Sequence, residues 1–281
     1  EIGSGLVGSE MCIRDRADLS PHTDIKFGFY TILLSECKCE AYAYGHQCCD
    51  FSDGTLVCLT PGESISMKGN NKEFPSKGWI LAFHPDLICG TPLGLNIHNY
   101  TFFSYCPEEA LHLSLREKQI ILEFLERIRQ ELERCIDRHS KKIISKYIEL
   151  LLDYCTRFYE RQFITRSEVN KKVFREFNYL LDNHFNVKVS LSTGVLSDEY
   201  CANLLHLSPA YFNDLLKYEI GKEFKEYIQF KRFEIAKGWL VNTDKTIGQI
   251  AQELGFSNSQ YFSRLFKKIT GCSPNEFRMP N

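Results

Sequence analysis

A chain of 281 residues, 43% of them hydrophobic and 25% charged, has the length for two domains and the apolar content for packed cores, which excludes a disordered polymer. A formal net charge of −2 excludes a uniformly basic nucleic-acid coat, so any affinity for DNA must come from local placement of cations. No apolar run approaches the ~18 residues needed to span a membrane, no signal peptide is evident, and twelve cysteines are therefore expected to stay reduced in a cytoplasmic protein.

Residues 1–16 have no periodicity and end in Glu10-Met11-Cys12-Ile13-Arg14-Asp15-Arg16, which resembles the translation of a sequencing-library adapter. They read as an assembly artefact or a disordered tail and are left out of the fold. Short strands are expected next, at Phe27–Leu34, Glu40–Tyr44, Gly54–Leu59, Gly78–Phe83 and Thr101–Tyr105, because these stretches are rich in aromatic or β-branched residues. Turn clusters such as Asp53-Gly54 and Pro61-Gly62 separate them, the spacing of a small barrel or sandwich. The period then changes. Ile121, Phe124, Leu125, Ile128 and Leu132 predict an amphipathic helix from about Leu115, and Ile144, Tyr147, Ile148, Leu151 and Leu152 a second one from about Ser140 to Tyr159. Either helix could pack within the chain or against a second copy. Phe163–Lys172 is charged and reads as a linker or a helix start, and Phe174, Phe177, Leu180 and Leu181 mark a further helix from Val173 to about Asn183.

The C-terminal third contains one pattern twice. In the second copy, Ile247, Ile250, Ala251 and Leu254 form one helical face, with Thr246 as cap, Gln249 at the capping-box position and Gly255 as the stop. Ser257 is expected to cap the next helix, with Gln260 completing a box and Phe256 and Tyr261 as a hydrophobic staple. Tyr261, Phe262, Leu265, Phe266 and Ile269 point inward, leaving Ser259, Gln260, Ser263, Arg264, Lys267 and Lys268 outside. That outer face places short polar groups near the helix N-terminus, suited to base edges, and cations further along, suited to phosphates. The first copy has Ser197 as cap, then Ser208-Pro209 opening a helix with Phe212, Leu215, Leu216 and Ile220 inward and Gly221 at its end. Aligning Ala202 with Ala251, Tyr211-Phe212 with Tyr261-Phe262 and Gly221 with Gly271 leaves one extra residue in the second copy, expected just after its cap. Between the copies, Phe224–Asn242 reads as one helix about 28 Å long, close to the ~34 Å pitch of B-DNA. Two recognition helices could thus enter successive major grooves.

Metal chemistry is the sharpest alternative. Cys37-x-Cys39, His46-x-Cys48-Cys49, His84 and His98 could ligate zinc or iron. Their spacing matches no common zinc pattern, and the His-x-His followed by Glu of a catalytic cupin is absent. Neither a phosphate loop nor a Ser/His/Asp order is evident, and Glu108-Glu109 falls in a turn or helix start. No enzyme activity, cofactor or metal is expected.

The C-terminal residues, densest at IGQIAQELGFSNSQYFSRLFKKITGCSPNEFR and also clear at LSPAYFNDLLKYEIGKEFKEYIQFKRFEIAKGWL, resemble the AraC/XylS family of bacterial transcription regulators over about Phe174–Arg278. The N-terminal half resembles, less closely, the cupin-type sensing domain common in that family. The resemblance implies a multi-domain α and β protein. Residues 17–112 would be a cupin-like β-barrel or sandwich, 113–162 a helical dimerisation or packing region and 163–172 a linker. Residues 173–281 would be an all-α DNA-binding domain with two helix-turn-helix motifs joined by the long helix. It implies base contacts from Ala210, Asn213 and Asp214 in the first recognition helix, where Lys217 is a further DNA-binding residue, and from Ser259, Gln260 and Ser263 in the second, with Arg264, Lys267 and Lys268 near phosphates. The implied partners are double-stranded promoter DNA, RNA polymerase, a second copy of the chain and a small-molecule effector. A metal-dependent cupin enzyme or a cysteine redox sensor fused to a DNA-binding domain is the other reading. Asp214 and Tyr218 stand where basic residues are common in the family, so the first motif is expected to tune sequence choice and the second to supply affinity.

Overall fold

The computed structural model describes residues 11–15, 25–26, 28–35, 45–65, 78–186 and 196–279. The chain divides into two compact units, Glu1–Ser167 and Glu168–Asn281.

In the first unit the strands are β1 (Met11–Asp15), β2 (Ile25–Lys26), β3 (Tyr30–Ser35), β4 (Gly54–Leu59), β5 (Ser64–Ile65), β6 (Gly78–Phe83) and β7 (Leu111–Leu113). Five form an antiparallel sheet in the order β1-β6-β3-β4-β7, and β2 pairs with β5. β4 and β6 have the expected bounds, while β3 starts three residues later than predicted. Among the described residues the ladders leave β1 and β7 as edges, so they form an open sheet and not a closed barrel. Met11–Asp15, excluded from the fold on sequence grounds, runs antiparallel to β6, with Ile13 opposite Leu81. The expected strand at Glu40–Tyr44 lies outside the described residues. Every residue of β4 is buried, and Leu33, Val57, Leu59 and Ala110 form a cluster with half-buried Ile80.

Between β6 and β7 lie two short helices, α1 (Pro85–Ile88) and α2 (Pro92–Asn96), and three 3-10 turns. Thr101–Ser104 is one of these turns and not the strand its aromatic residues predict. Phe102 there stacks on Tyr159 and Phe103 meets Tyr30 edge-on, so burial of the two rings in a cluster overrides their strand preference.

α3 (Leu115–Glu133) begins with a capping box between Ser114 and Glu117 and buries Ile121, Leu125 and Ile128. α4 (Ser140–Thr165) packs beside it, burying Ile144, Ile148, Leu151, Leu152 and Cys155, and runs six residues further than expected. Its Gln162 closes the sheet edge: Oε1 accepts from His112 N at 2.8 Å and Nε2 donates to Ala110 O at 3.0 Å. Of the two readings of 163–172, linker or helix start, the second holds: these residues are the end of α4, Arg166 and the start of α5 (Ser167–Asn186). Their charges belong to solvated helix faces and to one buried pair, in which Arg166 Nε donates to Asp50 Oδ1 at 2.9 Å and its terminal nitrogen to Oδ2 at 2.5 Å.

The second unit is helical throughout its described residues. After α5 come α6 (Asp198–Leu204), α7 (Pro209–Ile220), α8 (Phe224–Asn242), α9 (Ile247–Glu253), α10 (Ser259–Thr270) and α11 (Pro274–Arg278). Two apolar cores hold it. One gathers Phe177, Leu181, Cys201, Ala202, Phe212, Leu216, Phe224, Tyr227 and Ile228, and the other Phe185, Phe233, Ala236, Leu240, Ile250, Ala251, Phe262 and Phe266. α5 and α8 each contribute to both. Tyr227 Oη donates to Asn178 Oδ1 at 2.6 Å, fastening the two long helices together.

Candidate nucleic-acid interface

α6 and α7 form one helix pair and α9 and α10 another, built by matching local chemistry. Ser197 and Thr246 cap the first helices through Tyr200 N and Gln249 N, and Thr246 completes its predicted box with Gln249. The turns need a left-handed residue. Gly255 supplies it in the second pair (φ 74°), and His206 occupies the same place in the first (φ 57°). The second helices end at Gly221 and Gly271, both left-handed.

The cap of α10 corrects the sequence expectation. Asn258, and not Ser257, accepts from Tyr261 N, at 2.6 Å, matching Ser208, which accepts from Tyr211 N. The extra residue of the second copy is therefore Ser257, in the turn before the cap. Moving the cap by one keeps Phe262 and Phe266 on the core side. Tyr261 and Ile269, expected inward, are exposed, because α10 turns only Phe262 and Phe266 fully into the core.

On α10, Ser259, Gln260, Arg264, Lys267 and Lys268 are all exposed and Ser263 is half-buried. Ser263 Oγ donates to Ser259 O, 2.8 Å away. Arg264 and Lys268 form no ion pair among the described residues, and Lys267 interacts with Glu276. On α7, Lys217 is exposed while Ala210, Asn213 and Asp214 are half-buried. Asn213 is engaged within the pair, its Nδ2 donating to Asp198 Oδ2 and Pro209 O, each at 3.0 Å. This bond crosses from α7 to α6 and has no local sequence signature.

Two other residues that support this unit were not singled out by sequence. Arg278 at the end of α11 donates from Nε to Leu240 O at 3.1 Å and from a terminal nitrogen to Lys245 O at 2.5 Å, pinning the end of α8. The box between Ser273 and Glu276 that opens α11 was visible in the sequence. Arg232, half-buried on α8, lies over the Phe256 ring, 5.9 Å from its centroid, beside the second turn.

The metal candidates are scattered. Nδ1 of His84 accepts from Asp86 N and caps α1. His46 meets His112 edge-on, their rings 5.0 Å apart, while Cys48 and Cys49 are exposed. Cys37 and Cys39 lie outside the described residues. Among the described residues no three His, Cys, Asp or Glu side chains gather as metal ligands. Partial desolvation, aided by the Asp50 carboxylate, pushes the Cys49 thiol up, which lowers its thiolate fraction. Burial takes the Cys201 thiol up to about 11. Cys58 and Cys155 sit in the core as small hydrophobes, whereas Cys89 is exposed. No helix of the described residues is long and apolar enough to cross a membrane.

A family described as a helix-turn-helix domain matches residues 201–279, from the middle of α6 through α11. An uncharacterized HTH-type transcriptional regulator of Bacillus subtilis, YtdP, is 33% identical over 112 residues, 40% of this chain and 14% of that protein. The arabinose operon regulatory protein of Salmonella typhimurium is 32% identical over 101 residues, 36% of this chain and 32% of its own length. YijO of Escherichia coli, another uncharacterized HTH-type transcriptional regulator, is 24% identical over 225 residues, 80% of this chain and 76% of that protein. The chain thus spans well under half of the first two relatives. The C-terminal unit carries a helix-turn-helix domain, and the proteins it resembles are transcription regulators.

Proposed function

We propose that this chain is a sequence-specific transcription regulator that reads two successive major grooves of promoter DNA with α7 and α10. The observation that carries the reading is the outer face of α10, where Ser259 and Gln260 stand exposed at the N-terminal end and Arg264, Lys267 and Lys268 further along. Polar groups that fit base edges and cations that fit phosphates share one face, opposite Phe262 and Phe266. α8 supports the spacing, since its 19 residues extend about 28 Å and lock into the cores of both pairs.

The N-terminal unit is the sensing and pairing half in this proposal, a cupin-like sheet followed by α3 and α4. A small-molecule effector there, or pairing of two copies, biases how two C-terminal units are presented to DNA and hence whether RNA polymerase is recruited. An effector can do this only by binding one arrangement more tightly than the other.

The test uses the full chain. Duplexes selected from a random pool define the site, and binding is then measured across a salt series. Arg264→Ala is expected to weaken binding to all sequences alike and to reduce the slope of log affinity against log salt by about one. Asn213→Ala is expected to change base preference with a much smaller loss of affinity. Equal losses from the two variants, or a salt-independent interaction, count against the assignment.

A further inference from the structure

Asn213 lies on the face of α7 that the proposed function sets against DNA, and the role assigned to it below that face rests on the same reading. Its carboxamide is already oriented. Nδ2 donates both to Asp198 Oδ2 and to Pro209 O, each at 3.0 Å. A carboxylate and a backbone carbonyl have no hydrogen to give, so these partners fix which end of the amide is nitrogen. An amide nitrogen carries two hydrogens, and both are committed. Only Oδ1 remains for an incoming ligand.

We propose that Asp198 is a positioning residue that makes Asn213 an acceptor-only reader, so that the first helix pair selects a base with an exocyclic amino group, adenine or cytosine, at one position of its site. A free asparagine reads adenine with two bonds, accepting from N6 and donating to N7. Here the donation to N7 is withdrawn. Guanine shows two acceptors in the major groove and thymine one acceptor and a methyl group, so neither offers Oδ1 a hydrogen. Adenine N6 and cytosine N4 each do. Asp214, the next residue, has a carboxylate of the same acceptor character. The second pair lacks the device: Ile247 occupies the position matching Asp198, and Ser263 that of Asn213. The Ser263 hydroxyl also turns back to a carbonyl four residues earlier, but a single rotatable hydroxyl can release that bond.

The experiment compares full-length wild type, Asp198→Ala, Asp198→Asn and Asn213→Ala. Each is used to select duplexes from a random pool and is then titrated with four duplexes differing only at the base pair assigned to Asn213. Wild type is expected to bind the adenine and cytosine duplexes roughly fivefold to tenfold more tightly than the guanine and thymine ones. Asp198→Ala frees one amide hydrogen and should favour adenine over cytosine by about fivefold or more. Asp198→Asn still offers an acceptor to Asn213 and should restore the wild-type pattern. Asn213→Ala should equalise the four bases at that position only. A guanine or thymine preference that disappears in Asn213→Ala overturns the proposal. So does an Asn213→Ala variant unchanged at every position, or Asp198→Ala indistinguishable from wild type. Should Asp198→Ala fail to fold, the Asn213→Ala and wild-type profiles still decide whether an amino group is read. Arg264→Ala serves as a control that lowers affinity across all sequences. Absence of any DNA binding overturns the proposed function itself, and a normal affinity with the wrong base preference overturns only this inference.

Discussion

Both helix pairs of the C-terminal unit open on a hydroxyl cap, turn through a left-handed residue, cap the second helix with a side-chain oxygen and stop at a left-handed glycine. Their outer chemistry diverges. α6 and α7 carry Asp198, Glu199, Asp214 and Glu219 against one lysine, Lys217. α9 and α10 carry Arg264, Lys267 and Lys268 against Glu253, which Lys245 already neutralises at 2.5 Å. The backbone frame is specified by caps, turns and a few phenylalanines, and the solvent face is left free to change sign. A pair with four carboxylates adds little attraction to a polyanion, but it can discriminate among bases through acceptors. In the proposed reading the cationic pair supplies the salt-dependent affinity.

The most severe test of this equivalence lies in the cores. Phe212 and Phe262 occupy matching positions and are both fully buried. Replacing either with alanine is expected to cost about 3–5 kcal/mol. Because α5 and α8 pass through both cores, either substitution should lower hydrogen-exchange protection of α6–α7 and α9–α10 together. Loss confined to the mutated pair would show that the pairs are separate folding units. A smaller effect sharpens the comparison at the caps. Asn258→Ala and Ser208→Ala should each lower stability by about 1 kcal/mol in urea titrations, whereas Ser257→Ala should stay within roughly 0.5 kcal/mol. A larger loss at Ser257 than at Asn258 would return the extra residue to the helix.

What the sequence made legible was local. β4, β6, α7 and α8 could be bounded because caps, glycines and apolar periodicity lie within a few residues of one another. The doubled pattern was legible for the same reason. Ser257 misled because a serine hydroxyl caps as readily as the asparagine beside it, and only the register of Phe262 and Phe266 against the core separates the two. Thr101–Ser104 misled because aromatic residues serve strands and buried turns alike. The bonds from Asn213 to Asp198 and from Arg166 to Asp50 span 15 and 116 residues and depend on tertiary placement, which no local pattern encodes. For the proposed DNA-facing residues, the sequence indicated exposure at Lys217, Ser259, Gln260, Arg264, Lys267 and Lys268 but not that Ala210, Asn213, Asp214 and Ser263 are half-buried. It could not indicate that one of them had its donors already engaged.

The Asp50–Arg166 pair closes the last turn of α4, one residue before α5 begins, and both side chains are buried. Burial pushes the Asp50 carboxyl up, yet the Arg166 hydrogen bonds and charge, helped by the Gln47 amide and His112, hold it below the usual carboxylate range. An unfolded aspartate titrates near pH ~3.9. The stabilisation from this group is therefore complete above that value and fades as acidity carries the folded carboxyl through its own lower pKa. Mild acidification toward pH ~5 should leave the first unit intact by this route. Stronger acid should loosen it at the loop around Asp50 and at the foot of α4 together, a change that proteolysis at graded pH can locate.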